Sequence, residues 1–133
     1  MGTGCRIGIY YASRIISTSV HWDGNLTGVG TVLQNYYNVV ESKDNLEKIE
    51  TLIQKGDLRY IESDTCLEYF PSCDSTMYKE DNDFISFYRR TVQNCGEYYY
   101  LYKHGDGWFC GDTYGSTPIM KLDIAISLSN EKI

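Results

Sequence analysis

Two pairs of β-branched and aromatic runs, one near each end of the chain, constrain the fold more than any other feature of the sequence. Residues 5–11 (Cys-Arg-Ile-Gly-Ile-Tyr-Tyr) and 15–22 (Ile-Ile-Ser-Thr-Ser-Val-His-Trp) are separated only by Ala12, Ser13 and Arg14. Such side chains suit a pleated, half-buried surface, so the two runs predict a hairpin. Residues 97–103 and 107–111 flank His104-Gly105-Asp106-Gly107, whose glycines admit the positive φ of a tight turn. They predict a second hairpin.

Helical patterns lie between. Thr27 is placed to cap a helix over residues 28–40, in which Val29, Val32, Leu33, Tyr36 and Tyr37 recur at helical spacing. Ser42 or Asp44 opens a second helix to Lys55, with Leu46, Ile49, Leu52 and Ile53 on one face and Gly56 as terminator. Residues 57–61 leave that helix, 65–70 read as a short strand, and 71–77 are the most loop-like stretch. A third helix runs from Asp81 or Asn82 to Asn94 through Phe84, Ile85, Phe87, Tyr88 and Val92, with Gly96 beyond it. Met120, Leu122, Ile124, Ile126 and Leu128 alternate as a strand does, although Thr117-Pro118 ahead of them resembles a helix start. Strands at both ends with helices between predict an α+β fold: an antiparallel sheet built from the two terminal hairpins, with about three helices packed on one face.

A chain of 133 residues without a Pro/Gly/Ser-rich divide is expected to form a single domain, residues 1–133. Twelve basic against 18 acidic residues give a net charge of -6, which repels a nucleic-acid backbone and leaves room for a basic protein partner. The five cysteines, Cys5, Cys66, Cys73, Cys95 and Cys110, form no Cys-x-x-Cys pair and follow no secretory signal, as expected in a reducing compartment. No window approaches the roughly 18 apolar residues of a membrane span. Thirteen tyrosines, each an apolar ring with a polar tip, suit surfaces that are both buried and wet, such as clefts and interfaces.

The densest local signal is His21-Trp22-Asp23-Gly24 followed by Gly28-Val29-Gly30-Thr31. A strand end, a turn and a helix start in succession expose unpaired amides that can hold phosphate, with Trp22 available to stack on a base. Gly28-x-Gly30 lacks the third glycine of a dinucleotide fingerprint and the lysine of a P-loop, and a glycine pair also lets a helix pack closely on a sheet. Arg89 and Arg90, with Arg6 and Arg14, are the candidate basic groups, whose alternative is an ordinary salt-bridged face. His21 and Asp23 fall on one face of an extended segment, and acid–base use competes with simple bonding to the turn. No metal-ligand spacing is present.

The segments Met1-Gly2-Thr3, His21-Trp22-Asp23-Gly24, Gly28-Val29-Gly30, Gly56-Asp57-Leu58 and Glu97-Tyr98-Tyr99-Tyr100-Leu101-Tyr102 occur in that order. Together they resemble an uncharacterised family of small phage and prophage proteins, over roughly residues 1–110. That family carries Tyr-Pro where this chain has Asn25-Leu26, so a contact made by that tyrosine is altered here. The resemblance implies viral origin and action in the cytoplasm of a host bacterium, and it carries over no catalytic residue. The expectation is a non-enzymatic counter-defence protein that sequesters a nucleotide immune signal, of cyclic-nucleotide or cyclic ADP-ribose type. The alternative is an acidic inhibitor that blocks a host defence protein such as a CRISPR effector or nuclease. A third class, hydrolysis of the signal by His21 and Asp23, stands behind both, and a homo-oligomer is expected.

Overall fold

The computed structural model describes residues 4–20, 25–36, 47, 49–50, 53, 58–63, 66–70, 73–94, 96–103, 105–114 and 119–131. Both terminal hairpins form. β1 (Cys5–Tyr11) pairs antiparallel with β2 (Arg14–Val20), and β6 (Tyr98–Lys103) with β7 (Gly107–Asp112). Gly105 and Gly107 take φ of 92° and 93° in the second turn, the region their missing side chain opens. In the first turn the same left-handed region holds Ala12 and Ser13, at 55° and 64°.

The six-stranded sheet has the order β5-β2-β1-β6-β7-β8, where β5 is Cys73–Asp81 and β8 is Met120–Lys121. Every neighbouring pair is antiparallel except the central one, because β1 and β6 run parallel from Cys5↔Tyr98 to Tyr10↔Lys103. The sheet is therefore mixed at its centre. A parallel junction needs a crossover connection rather than a turn, and the chain between β2 and β6 supplies it. The α+β class holds. β3 (Leu58–Ser63) and β4 (Cys66–Phe70) form a separate two-stranded sheet.

The helices divide between the two faces of the large sheet instead of sharing one. Alternate residues explain it. Ile7, Ile9, Ile16, Val20, Tyr100, Tyr102, Trp108 and Cys110 point to one side. There they meet Val29 and Leu33 from the first helical segment, Ile49 and Ile53, and Leu122 and Ala125 from α3 (Leu122–Glu131). The other side carries Ile15, Tyr99 and Leu101, covered by Phe84, Phe87 and Tyr88 of α2 (Phe84–Gln93). Central strand β6 carries large rings or Leu101 on both surfaces and β1 buries Arg6 on the α2 side, so a helix layer on one side alone would leave Tyr99 and Arg6 in water.

Three sequence expectations are corrected. The alternating residues after Met120 form only two residues of strand, and the chain then turns helical from Leu122. The i, i+3 pair Leu122 and Ala125 is buried whereas Ile124 and Leu128 face outward, so burial follows a helical period. The loop-like stretch at 73–77 belongs to β5, which pairs with β2 across an irregularity between Ser17 and Ser19. Partner hydrogen bonds there outweigh weak local strand propensity. The first helix begins at Leu26, with Asn25 as the flanking residue and Thr27 inside, and it opens as a wide π-turn over Leu26–Gly30 before α1 (Thr31–Tyr36). Its expected continuation to residue 40 lies outside the described residues. Of the second expected helix, Glu47, Ile49, Glu50 and Ile53 are described, all helical.

The cap of α2 is Asp83 and not the expected Asp81 or Asn82, since Asp81 still belongs to β5: Asp83 accepts a hydrogen bond from the Ser86 amide at 2.8 Å, which also holds its carboxyl below its ordinary range. Gly96 beyond this helix serves by space, not by left-handed backbone: a Cβ there would approach Thr91 Cγ2 at 2.7 Å.

Candidate functional site

His21, Trp22, Asp23 and Gly24 lie outside the described residues. The glycine pair that follows them is described, and its amides are committed. Gly28 N and Gly30 N both donate to the Asn25 carbonyl, at 3.1 and 3.2 Å. Thr31 Oγ1 donates to the Leu26 carbonyl at 2.8 Å. The wide turn thus engages both glycine amides and the Thr31 hydroxyl internally. Gly30 also faces the buried ring of Tyr100, which an added Cβ would meet at 3.2 Å. Close packing of helix on sheet accounts for Gly30, and a phosphate at this turn would have to displace the Asn25 carbonyl.

Arg90 is likewise occupied. Its guanidinium grips Asp81 from Nε and Nη2, at 3.0 and 2.8 Å, with an Asp81 side chain only 4% exposed. Arg89 is on the exposed side of α2. Below the pair, Arg6 is buried under α2, donating to Ser17 Oγ at 2.8 Å and to Asn94 Oδ1 at 3.0 Å. Burial, and then the nearby Arg90 charge, pull the Arg6 pKa down to about 10, while Asp81 opposes the fall. The Arg90 pKa moves up, mainly through its hydrogen bond to Asp81. These groups form an internal strut that pins α2 to β1 and β5. Arg14 pairs with Glu80 at the surface.

The structure instead brings together a cleft that sequence reasoning missed. It measures about 380 Å³ and is lined by Tyr10, Ile15, Phe84, Leu101, Lys103, Phe109 and Ile119. This size falls in the range of about 300–1,000 Å³ typical of small-molecule sites. Strand alternation builds it. Tyr10, Ile15, Leu101, Lys103 and Phe109 come from four strands, and the ladder pairs Tyr10 with both Ile15 and Lys103, and Leu101 with Phe109. All five therefore point to the α2 side. Phe84, in the first turn of α2, closes one wall.

The floor, Ile15 and Leu101, is buried, whereas Tyr10 and Ile119 at the mouth are 40% and 47% exposed. Charge enters at one end. Lys103 Nζ lies 5.8 Å from the Tyr10 ring centroid and 5.7 Å from that of Phe109, and Lys121 Nζ lies 5.6 Å from Phe109. Lys121 also donates to the Asp106 carbonyl at 2.9 Å. Among the described residues, neither ammonium has a carboxylate in salt-bridge contact. An apolar, ring-walled hollow with the Lys103 ammonium in its lining and Lys121 beside its Phe109 wall suits a ligand with a flat apolar body and an anionic group.

One signal in the sequence pointed here. Lys103 and Lys121 are basic residues within strands, but their convergence on Phe109 depends on strand pairings that no local pattern reveals. Next to the cleft, Tyr99 is surrounded by Phe84, Phe87 and Tyr88 at 5.5, 6.1 and 5.8 Å, edge to face, and this rigid cluster supports the Phe84 wall. Among the described residues no group of three His, Cys, Asp or Glu could hold a metal ion, and no helix is long and apolar enough to cross a membrane. No family model matches the chain, and neither does any curated protein or solved structure.

Proposed function

We propose that the chain is a phage counter-defence binding protein that sequesters a nucleotide immune signal, and that the cleft between α2 and the sheet is its binding site. The observation that carries this reading is the pairing of aromatic walls with the Lys103 ammonium in the cleft and the Lys121 ammonium against its Phe109 wall. Base rings stack on aromatic faces whatever their sequence, and phosphate takes the ammonium donors. The site has moved from the glycine turn, where the amides serve the Asn25 carbonyl. Binding without turnover is part of the proposal, as is action in the host cytoplasm.

Titration calorimetry and thermal stabilisation against a panel of cyclic nucleotides and cyclic ADP-ribose isomers test it. At least one compound is expected to bind and to raise the melting temperature, with the effect lost in Phe109→Ala. Uniform absence of heat and of stabilisation sinks the reading. Turnover of a bound compound that disappears in His21→Ala would replace sequestration by hydrolysis. The net charge of -6 favours a second reading, an acidic inhibitor of a basic host defence protein. In that case binding to the partner weakens steeply as salt rises, and the nucleotide panel stays silent.

A further inference from the structure

Resting on that reading of the cleft, we infer that the site is bipolar: the flat base of a nucleotide lies inside against Leu101 and Phe109, and its phosphate sits at the end where Lys103 and Lys121 approach the Phe109 ring. The floor of Ile15 and Leu101 is buried and apolar, so a phosphate pushed there would lose its water without a partner. The base has the opposite preference. Two ammonium groups lie close to the Phe109 ring, 5.7 and 5.6 Å from its centroid, so this end of the cleft carries the positive charge that a phosphate seeks.

Their anchoring leaves donors to spare. An ammonium has three N–H groups, and the Asp106 carbonyl takes one from Lys121. Lys103 lies against the rings of Tyr10 and Phe109, which attract its charge weakly and yield its N–H groups to an oxygen acceptor. A phosphate beside Phe109 therefore finds open donors on β6 and on β8. The outward phosphate also sets the ligand class. Groups joined through that phosphate extend into solvent, so the site accepts a base on a phosphodiester ring or chain, one base per cleft, and gains little from a free nucleoside.

Calorimetry of the wild-type chain with adenosine, guanosine, their 5′-monophosphates and inorganic phosphate separates the two ends. The better monophosphate is expected to bind about tenfold or more tightly than its nucleoside, the worth of one or two hydrogen bonds to a charged group. That increment, taken as the ratio of monophosphate to nucleoside affinity within each protein, should shrink in Lys121→Met and vanish in the Lys103→Met/Lys121→Met double variant, in which methionine keeps the apolar stem. Inorganic phosphate alone should not bind. A nucleoside that binds as well as its monophosphate, or an increment that survives in the double variant, overturns the bipolar assignment and leaves the cleft as a base site. Silence from every nucleoside and nucleotide, here and in the wider panel, removes both.

Discussion

Replacing Arg90 by methionine should cost stability and leave ligand binding intact, the reverse of what a ligand-holding arginine would do. The Asp81 carboxylate has a side chain 4% exposed and receives hydrogen bonds from Arg90 Nε and Nη2. Arg90→Met removes these bonds and leaves the carboxylate to the charge of Arg6. Breaking a buried ion pair from one side typically costs about 3–5 kcal/mol. The Arg90 side chain is 30% exposed, so water can replace part of the loss and the cost should fall to about 2–3 kcal/mol. Asp81→Asn should cost a similar amount, because it leaves Arg6 and Arg90 as uncompensated like charges. The double variant should be less destabilised than the two losses added, with a coupling of about 1–2 kcal/mol. Urea unfolding of the four proteins, followed by circular dichroism and checked for unchanged slope, gives all the terms. A loss below about 0.5 kcal/mol for Arg90→Met together with no coupling would refute the strut.

Three further outcomes follow from particular contacts. Ala12 and Ser13 occupy the left-handed region in a two-residue hairpin turn, so Ala12→Asn/Ser13→Gly should stabilise the fold by about 1–2 kcal/mol in the same urea assay. Gly111→Ala should destabilise by about 1–3 kcal/mol, because its Cβ would run into the Tyr99 ring that Phe84, Phe87 and Tyr88 hold in place; a melting temperature equal to wild type would contradict that rigidity. Burial raises the Cys110 thiol from 9.0 to about 12, raises Tyr99 from 10.0 to about 12, and pushes Tyr100 well up. The folded chain therefore keeps protons that the unfolded chain releases, and stability should be intact below pH 9 and fall steadily between pH 9 and 12. Arg6, lowered to about 10, has the opposite sign and offsets only part of this loss above pH 10. Constant stability from pH 8 to 11 would show that the tyrosine layer is not desolvated.

The sequence made the two hairpins and α2 legible because their signals are local: β-branched runs around a turn, and Phe84, Phe87 and Tyr88 at helical spacing, although the cap is Asp83 and not Asp81 or Asn82. What stayed hidden was non-local. Nothing near Cys5 announces that β1 pairs in parallel with Tyr98–Lys103, and that one junction dictates that both sheet faces need helices. The strand at Cys73–Asp81 was obscured by polar residues that β2 nevertheless pairs. For Leu122–Glu131, alternating apolar residues happened to satisfy a strand template while burial follows Leu122 and Ala125. The candidate site suffered the same way. Glycine and arginine signals drew the reading to Gly28, Gly30 and Arg90, whose bonds to Asn25 and Asp81 are internal. Tyr10, Lys103, Phe109 and Lys121 meet only once four strands are set in register.

The location of binding is the central claim, and amide chemical-shift mapping with the tightest nucleotide of the panel tests it most directly. The account predicts the largest shifts at Tyr10, Leu101, Lys103, Phe109 and Lys121, with Gly28, Gly30 and Thr31 unmoved. Shifts concentrated on Gly28, Gly30 and Thr31, with the cleft silent, would contradict it and return the site to the helix start.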